Sequence, residues 1–246
     1  MKHFKGQVLL GVVLIVLSVG LYLAQILIFH AERDTFFYLF QDLAFVPIQV
    51  LLVTVIVDQV LRIRERMVLL KKLNMVIGAF FSEVGTELIR KCITFDEDAR
   101  SVAEKLLVAS DWDDDRFKAA ADSLKKHAVR MDCRRGDLAE LRDFLVARRS
   151  FLLGLLENQN LLEHETFTEL LWAVFHLMEE LSSRADVRTL TNPDCEHIAG
   201  DIKRAYAILM LEWLSYMHHL KKEYPYLFSL AVRTNPFNAN AMAEVK

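Results

Sequence analysis

The sequence predicts an all-α protein: an N-terminal two-helix transmembrane hairpin that continues through a long helix into a cytoplasmic helical bundle. Three observations predict it. Hydrophobic residues make up 53% of the 246, and the excess sits in roughly the first sixty positions. Only 8 Gly and 4 Pro interrupt the chain, too few for the turns of an all-β fold. An apolar span, residues 43–61, passes without a Gly or Pro stop into a charged, heptad-patterned segment at 62–88.

The first span is residues 7–29, 23 positions without a charge. That is enough to cross a hydrocarbon core of about 30 Å. Lys2 and Lys5 followed by Ser18-Val19-Gly20 imitate a secretory signal with its small-residue cleavage site. The apolar run continues nine residues past Gly20, however, longer than a signal core of about 7–15 residues, so a retained anchor is expected.

The second span, 43–61, contains Pro47 and Gln49, and Phe36, Phe37, Tyr38, Phe40 and Phe45 lie toward its outer end as an interfacial aromatic belt would. Basic residues set the expected orientation. Lys2 and Lys5 precede span one, Arg62, Arg64, Arg66, Lys71 and Lys72 come after span two, and the connector holds only Arg33. These point to a multi-pass protein of the inner (plasma) membrane with both termini cytoplasmic, its outer loop too short to form a receptor domain. Asp58 is an intramembrane acid and so a candidate for function; paired with Arg62 four residues on, it reads more plainly as an ion pair at the headgroups.

From 53 to 88 a heptad runs through Val53, Val60, Met67, Asn74, Phe81 and Leu88 at a and Ile56, Ile63, Leu70, Ile77 and Val84 at d. An Asn at a fixes register and strand number by pairing with its counterpart in a second chain. Val60, Ile63, Met67, Leu70, Asn74 and Ile77 are therefore the expected seam of a homo-oligomer. Val68, Leu69, Leu73, Met75, Val76 and Phe80 make the same helix apolar nearly all round, which favours the centre of a bundle; both hold if the bundle dimerises through it.

The organisation expected is residues 1–61 as hairpin, 62–236 as helical bundle and 237–246 as a flexible tail. Thr94-Phe95-Asp96-Glu97, Ser110-Asp111-Trp112-Asp113 and Thr166-Phe167-Thr168-Glu169 have the form of capping boxes. Asp137 is placed to cap a helix reaching about Leu156. Asn192-Pro193 opens a long last helix that Pro225 ends, with a short closing helix to Arg233.

Chemistry is sparse. No phosphate-binding glycine loop or nucleophile elbow occurs. Three cysteines, Cys92, Cys133 and Cys195, lack any CxxC and suggest no disulfide framework, which suits a reducing compartment. Past Asp58 the chain has 27 Lys/Arg against 29 Asp/Glu (totals of 30 and 33, less Lys2, Lys5 and Arg33, and less Glu32, Asp34, Asp42 and Asp58), which gives no case for nucleic acid. Asp111, Asp113 and Asp115 match the opening of a calcium loop, but Arg116 stands where its Gly must be. Acids favoured by a helix dipole explain them better. Lys125, Lys126, Arg130, Arg134 and Arg135 form a basic loop, read as solvated charge with anionic lipid or a phosphorylated ligand as the alternative.

His176 and Glu212 each sit inside an apolar stretch on helices able to pack antiparallel. They are the best candidates for a metal pair, with His164, His218, His219 or Glu180 as possible additions, although the spacing is not that of a known metal motif. A satisfied core His and Glu are the simpler reading, so no catalytic residue, cofactor or metal is assigned. The leading expectation is a membrane-anchored regulatory or scaffolding module, self-associating through 53–88 and docking a cytoplasmic protein. A small oligomeric channel or transporter lined by Gln49, Thr54 and Asp58 is the first alternative. A metal-dependent enzyme centred on His176 and Glu212 is the second.

Overall fold

Helix α1 spans Lys2–Phe29 and α2 Glu32–Phe80. A π-helical turn, Phe81–Gly85, joins α2 to α3 (Thr86–Cys92), and a 3-10 turn, Ile93–Phe95, comes next. The remaining helices are α4 (Ala99–Leu106), α5 (Asp114–Lys125), α6 (Leu138–Ala147), α7 (Arg149–Leu156), α8 (Glu165–Ser182), α9 (Asn192–Glu223) and α10 (Pro225–Arg233). The computed structural model describes residues 2–29, 32–158, 161 and 164–244, with side chains described at 12–28, 35–65, 67, 72–158, 161 and 164–244. Among the described residues the fold is all-α. The one extended pairing among the described residues is an isolated bridge between Asp96 and Met131.

The chain divides into two compact units, Met1–Arg66 and Met67–Lys246. In the first, the stretch Thr35–Glu65 of α2 is the one described helix long and apolar enough to cross a membrane, and its most apolar window is wholly unburied by the chain. In α1 the described apolar stretch is the shorter Val12–Ile28. The hydroxyl of Tyr22 donates to Asp42 Oδ2 at 3.1 Å, so the two N-terminal helices share a polar contact.

The second unit is built around α9, which packs against α3, α5, α8, α10 and the π turn. Its apolar face explains this: Ile198, Ile202, Ala205, Tyr206, Leu209, Met210, Trp213 and Met217 are all buried. The end of α2, the π turn and α3 together supply a second stripe, Leu73, Ile77, Phe80, Phe81, Val84 and Leu88, each at most 4% exposed. Phe80 and Phe81, adjacent at the junction of α2 and the π turn, are both buried. The π turn carries one extra residue between α2 and α3, with Phe80 and Thr86 in ordinary helical conformation on either side. Thr86 seals it: its amide and its hydroxyl (2.8 Å) both donate to Phe81 O. Phe80 then meets Phe167 edge-on at 5.2 Å and Phe81 stacks on Tyr216 at 5.0 Å.

Several helix starts differ from the sequence expectation. Thr94 caps nothing forward; its hydroxyl donates back to Lys91 O, and α4 begins only at Ala99. Asp113, not Ser110, caps α5, accepting from the Arg116 amide. Asp137 caps α6 as expected, accepting from the amides of Ala139 and Glu140, but the helix breaks at Arg148 into α6 and α7. Pro193 stands in the first turn of α9 and Pro225 in that of α10. Phe237, expected to open a free tail, is 4% exposed and packs on Trp213, and buried Asn235 donates to Leu106 O.

The cysteines also differ from expectation. Cys133 and Cys195 form a disulfide with Cα atoms 5.6 Å apart, tying the loop before α6 to the first turn of α9. Their separation of 62 residues gives no local pattern by which sequence could pair them. Cys92 is free and fully buried, and burial pushes its thiol up to about 12.

Candidate functional site

Helices α8 and α9 run antiparallel, and their polar contacts step in opposite directions along the two. Thr166 meets Glu212, His176 meets Asp201, Glu180 meets His197 and Arg184 meets Asp194. The register is set by where each helix starts. His164 caps α8, its Nδ1 accepting from the Phe167 amide at 3.2 Å, and Pro193 sets the first turn of α9.

The last three of those contacts form one cluster. His176 and Glu180 are four residues apart on α8, and His197 and Asp201 are four apart on α9, so each pair shares a helix face. His176 Nε2 lies 3.8 Å from Glu180 Oε1 and 3.6 Å from Asp201 Oδ2. His197 Nε2 lies 3.5 Å from Glu180 Oε2 and 3.4 Å from Asp201 Oδ2. His176, Glu180 and Asp201 offer three donor atoms all within 4.8 Å of one another.

Two arginines brace the carboxylates. Arg184 donates to Glu180 Oε2 at 2.8 Å and grips Asp194 with Nε and Nη2, while Arg204 donates to Asp201 Oδ1 at 2.9 Å. The Arg184 hydrogen bond is the main reason both Glu180 and Asp194 are held below the ordinary carboxylate range. Three carboxylates against two guanidiniums leave the cluster one net negative charge when the imidazoles are neutral. Asp201 is 3% exposed, whereas the two imidazoles are about half exposed. A buried acid beneath two solvent-facing imidazoles is a donor set able to hold a cation or to exchange protons with water.

Comparison with known proteins locates the chain. The family model described as "Uncharacterized protein MJ1433, C-terminal helical domain" matches residues 69–233, and "MJ1433, N-terminal helical domain" matches residues 2–61. The chain is similar to "Uncharacterized protein MJ1433" of Methanocaldococcus jannaschii, 42% identical over 238 residues that cover 97% of this chain and 96% of the relative. It belongs to the MJ1433 family. No solved structure matches it.

In this MJ1433-family chain the two weak metal candidates, His176 and Glu212, do not meet. Glu212, 6% exposed, accepts from the Thr166 hydroxyl at 2.5 Å instead of meeting His176. Thr166 and His176 are ten residues apart on α8, about 15 Å of helix. The other candidate histidines are also engaged elsewhere: His164 as a cap, His218 with Asp114 Oδ1 at 2.7 Å and His219 Nδ1 with Asn74 Nδ2 at 3.3 Å. Asp114, within the acidic run, is bound by His218 and Lys222, the first holding its carboxyl down most. Sequence reasoning finds His176 and Glu180 but misses His197 and Asp201. The signal available is the matched four-residue spacing, His176 to Glu180 and His197 to Asp201.

The expected oligomer seam is divided. Val60, Ile63 and Met67 are exposed, Leu70 lies outside the described side chains, Asn74 is half-buried against His219 and Ile77 is 4% exposed in the chain's own core. Asp58 and Arg62 are both exposed, and no ion pair joins them among the described residues. The hydroxyl of Thr54 donates to Val50 O at 2.7 Å. In the basic loop, Arg130 pairs with Asp98 at 2.9 Å and Arg134 donates to Asn192 Oδ1 at 2.6 Å. Beside it a cavity of about 840 Å³ is lined by Arg134, Arg135 and Arg188, the acids Asp137 and Glu140, and the Cys133–Cys195 bond.

Proposed function

We propose that this protein is a membrane-anchored helical regulatory or scaffolding module. A two-span hairpin holds it in the plasma (inner) membrane with both termini cytoplasmic, and Met67–Lys246 is its working part. The observation that carries this reading is the stretch Thr35–Glu65, 31 helical residues whose apolar side chains the chain leaves uncovered. A helix apolar all round belongs in a protein core or in lipid, and among the described residues of the unit Met1–Arg66 no apolar side chain is buried. The charge-free run 7–29 and the Tyr22–Asp42 hydrogen bond support α1 as the second member of the hairpin. Orientation rests on the basic residues after span two. The Cys133–Cys195 bond pulls the other way, since disulfides persist mainly outside reducing compartments.

Self-association through α2 falls to Val60, Ile63 and Met67, because Ile77 is consumed by the core and Asn74 by His219. The polar cluster at His176, Glu180, His197 and Asp201 is where the module would receive a ligand.

Alkaline carbonate extraction of membranes carrying the full chain tests the anchor. Retention in the pellet is the expected result; release into the supernatant refutes it. Single cysteines at Val60, Ile63 and Met67 test the seam. Buried Cys92 does not compete in the oxidation, so crosslinked dimers at these positions report self-association, and their absence at all three removes it.

A further inference from the structure

We propose that His176, Glu180, His197 and Asp201 form a binding site for a divalent first-row transition ion of the zinc class. The proposal goes beyond the membrane reading and does not depend on it. Each imidazole Nε2 sits 3.4–3.8 Å from two carboxylate oxygens. Those separations are too long for hydrogen bonds, which run at about 2.7–3.2 Å. They approach the spacing of neighbouring donors in a tetrahedral shell, about 3.3 Å for metal bonds of about 2.0–2.1 Å. One donor atom each from His176, Glu180 and Asp201 lies within 4.8 Å of the others, and the His197 imidazole stands beside them at 3.4 Å from Asp201 Oδ2.

Asp201 supplies the independent observation. Its side chain is 3% exposed, and Oδ2, the oxygen aimed at both imidazoles, is buried without a hydrogen-bond partner. A buried carboxylate oxygen without a donor is costly, and a cation at this point would satisfy it. Oδ1 is already taken by Arg204, and Glu180 is likewise braced on Oε2 by Arg184, leaving Oε1 toward His176. Asp201 therefore has one oxygen fixed by a guanidinium and one directed at both imidazoles, the arrangement by which an outer shell orients ligands, while Glu180 keeps Oε1 beside His176 and shares Oε2 between Arg184 and His197. The imidazoles, about half exposed, leave the ion a path from solvent. Imidazole with carboxylate suits zinc and its neighbours better than calcium or magnesium, which take oxygen alone.

The test is titration of the chelator-stripped, detergent-solubilised full chain with zinc ion, read by calorimetry and by thermal melting. One ion per chain and a rise in Tm are expected. Asp201→Asn keeps an acceptor for Arg204 and so keeps the fold, and His197→Ala changes a half-exposed side chain. Each should weaken binding at least tenfold, while His218→Ala, which lies elsewhere on α9 against Asp114, should leave it unchanged. No saturable binding overturns the proposal, and so does binding that Asp201→Asn and His197→Ala leave intact. In either case the cluster is a structural polar network that joins α8 to α9. Carbonate extraction reads the anchor separately, so the two readings fail independently.

Discussion

Reducing the Cys133–Cys195 disulfide should destabilise the unit Met67–Lys246 by a calculable amount. The bond closes a loop of 62 residues. Confining that loop in the unfolded chain corresponds to about 4 kcal/mol at 25 °C. For a domain of this size, 1 kcal/mol shifts Tm by about 2–4 °C, so reduction should lower Tm by about 8–16 °C. The assay is a thermal melt of the detergent-solubilised chain with and without a thiol reductant, paired with thiol counts in denaturant. Cys92 is buried and its thiol is pushed up to about 12, so it should not label while the protein is folded. In denaturant, one thiol without reductant and three with it are expected. Three thiols without reductant, or an unchanged Tm on reduction, would refute the argument. The same count made on membranes directly after lysis also reports the redox state of the compartment facing the domain.

Three further outcomes concern the core. Gly85→Ala places a methyl 2.5 Å from Phe81 Cδ1 and 2.8 Å from Phe80 Cε1, two rings that are buried and cannot yield, and should cost about 1–3 kcal/mol in a denaturant titration. Thr166→Val removes the hydroxyl that serves buried Glu212, and should cost a similar ~1–3 kcal/mol, whereas Thr166→Ser should be nearly silent. Asp96 is 1% exposed, and burial holds its carboxyl above the ordinary range. A folded value above the unfolded one means that stability is lost as pH rises from the unfolded value through the folded one, and that the penalty persists above it. Asp96→Asn, which keeps an acceptor for the Asp98 amide, should therefore raise Tm at pH 7 and flatten its dependence on pH across the acid range. A variant no more stable than the wild type at pH 7 would count against this.

The helical class is legible because so few breakers interrupt a Leu- and Ala-rich chain, and the helix ends at Asp137, Pro193 and Pro225 are legible because each carries its own stereochemical instruction. Features that depend on register between helices are not. His164 caps α8 through a ring nitrogen, a role its side chain does not advertise, and this frees Thr166 to reach Glu212. The π turn has no sequence signature beyond two adjacent phenylalanines with Gly85 close behind. The heptad through Asn74 is real as a pattern, yet its C-terminal half is spent on the core of the same chain, since Ile77, Phe81, Val84 and Leu88 meet α9 and its neighbours instead of a second copy. His176 stands out in the sequence on the right grounds, a histidine in an apolar stretch. Its companions can be assigned only once α8 and α9 are aligned antiparallel, which brings His197 and Asp201 beside it and carries Glu212 about 15 Å away. The disulfide is hidden for the same reason, its two halves being 62 residues apart.

The two-span anchor with both termini on one face is tested most directly by protease protection of epitope tags placed at the N- and C-termini, in sealed inside-out and right-side-out vesicles. Digestion of both tags in inside-out vesicles and protection of both in right-side-out ones is the expected result. Tags digested from opposite faces would mean that α1 does not cross, leaving Thr35–Glu65 as a single span and removing the hairpin.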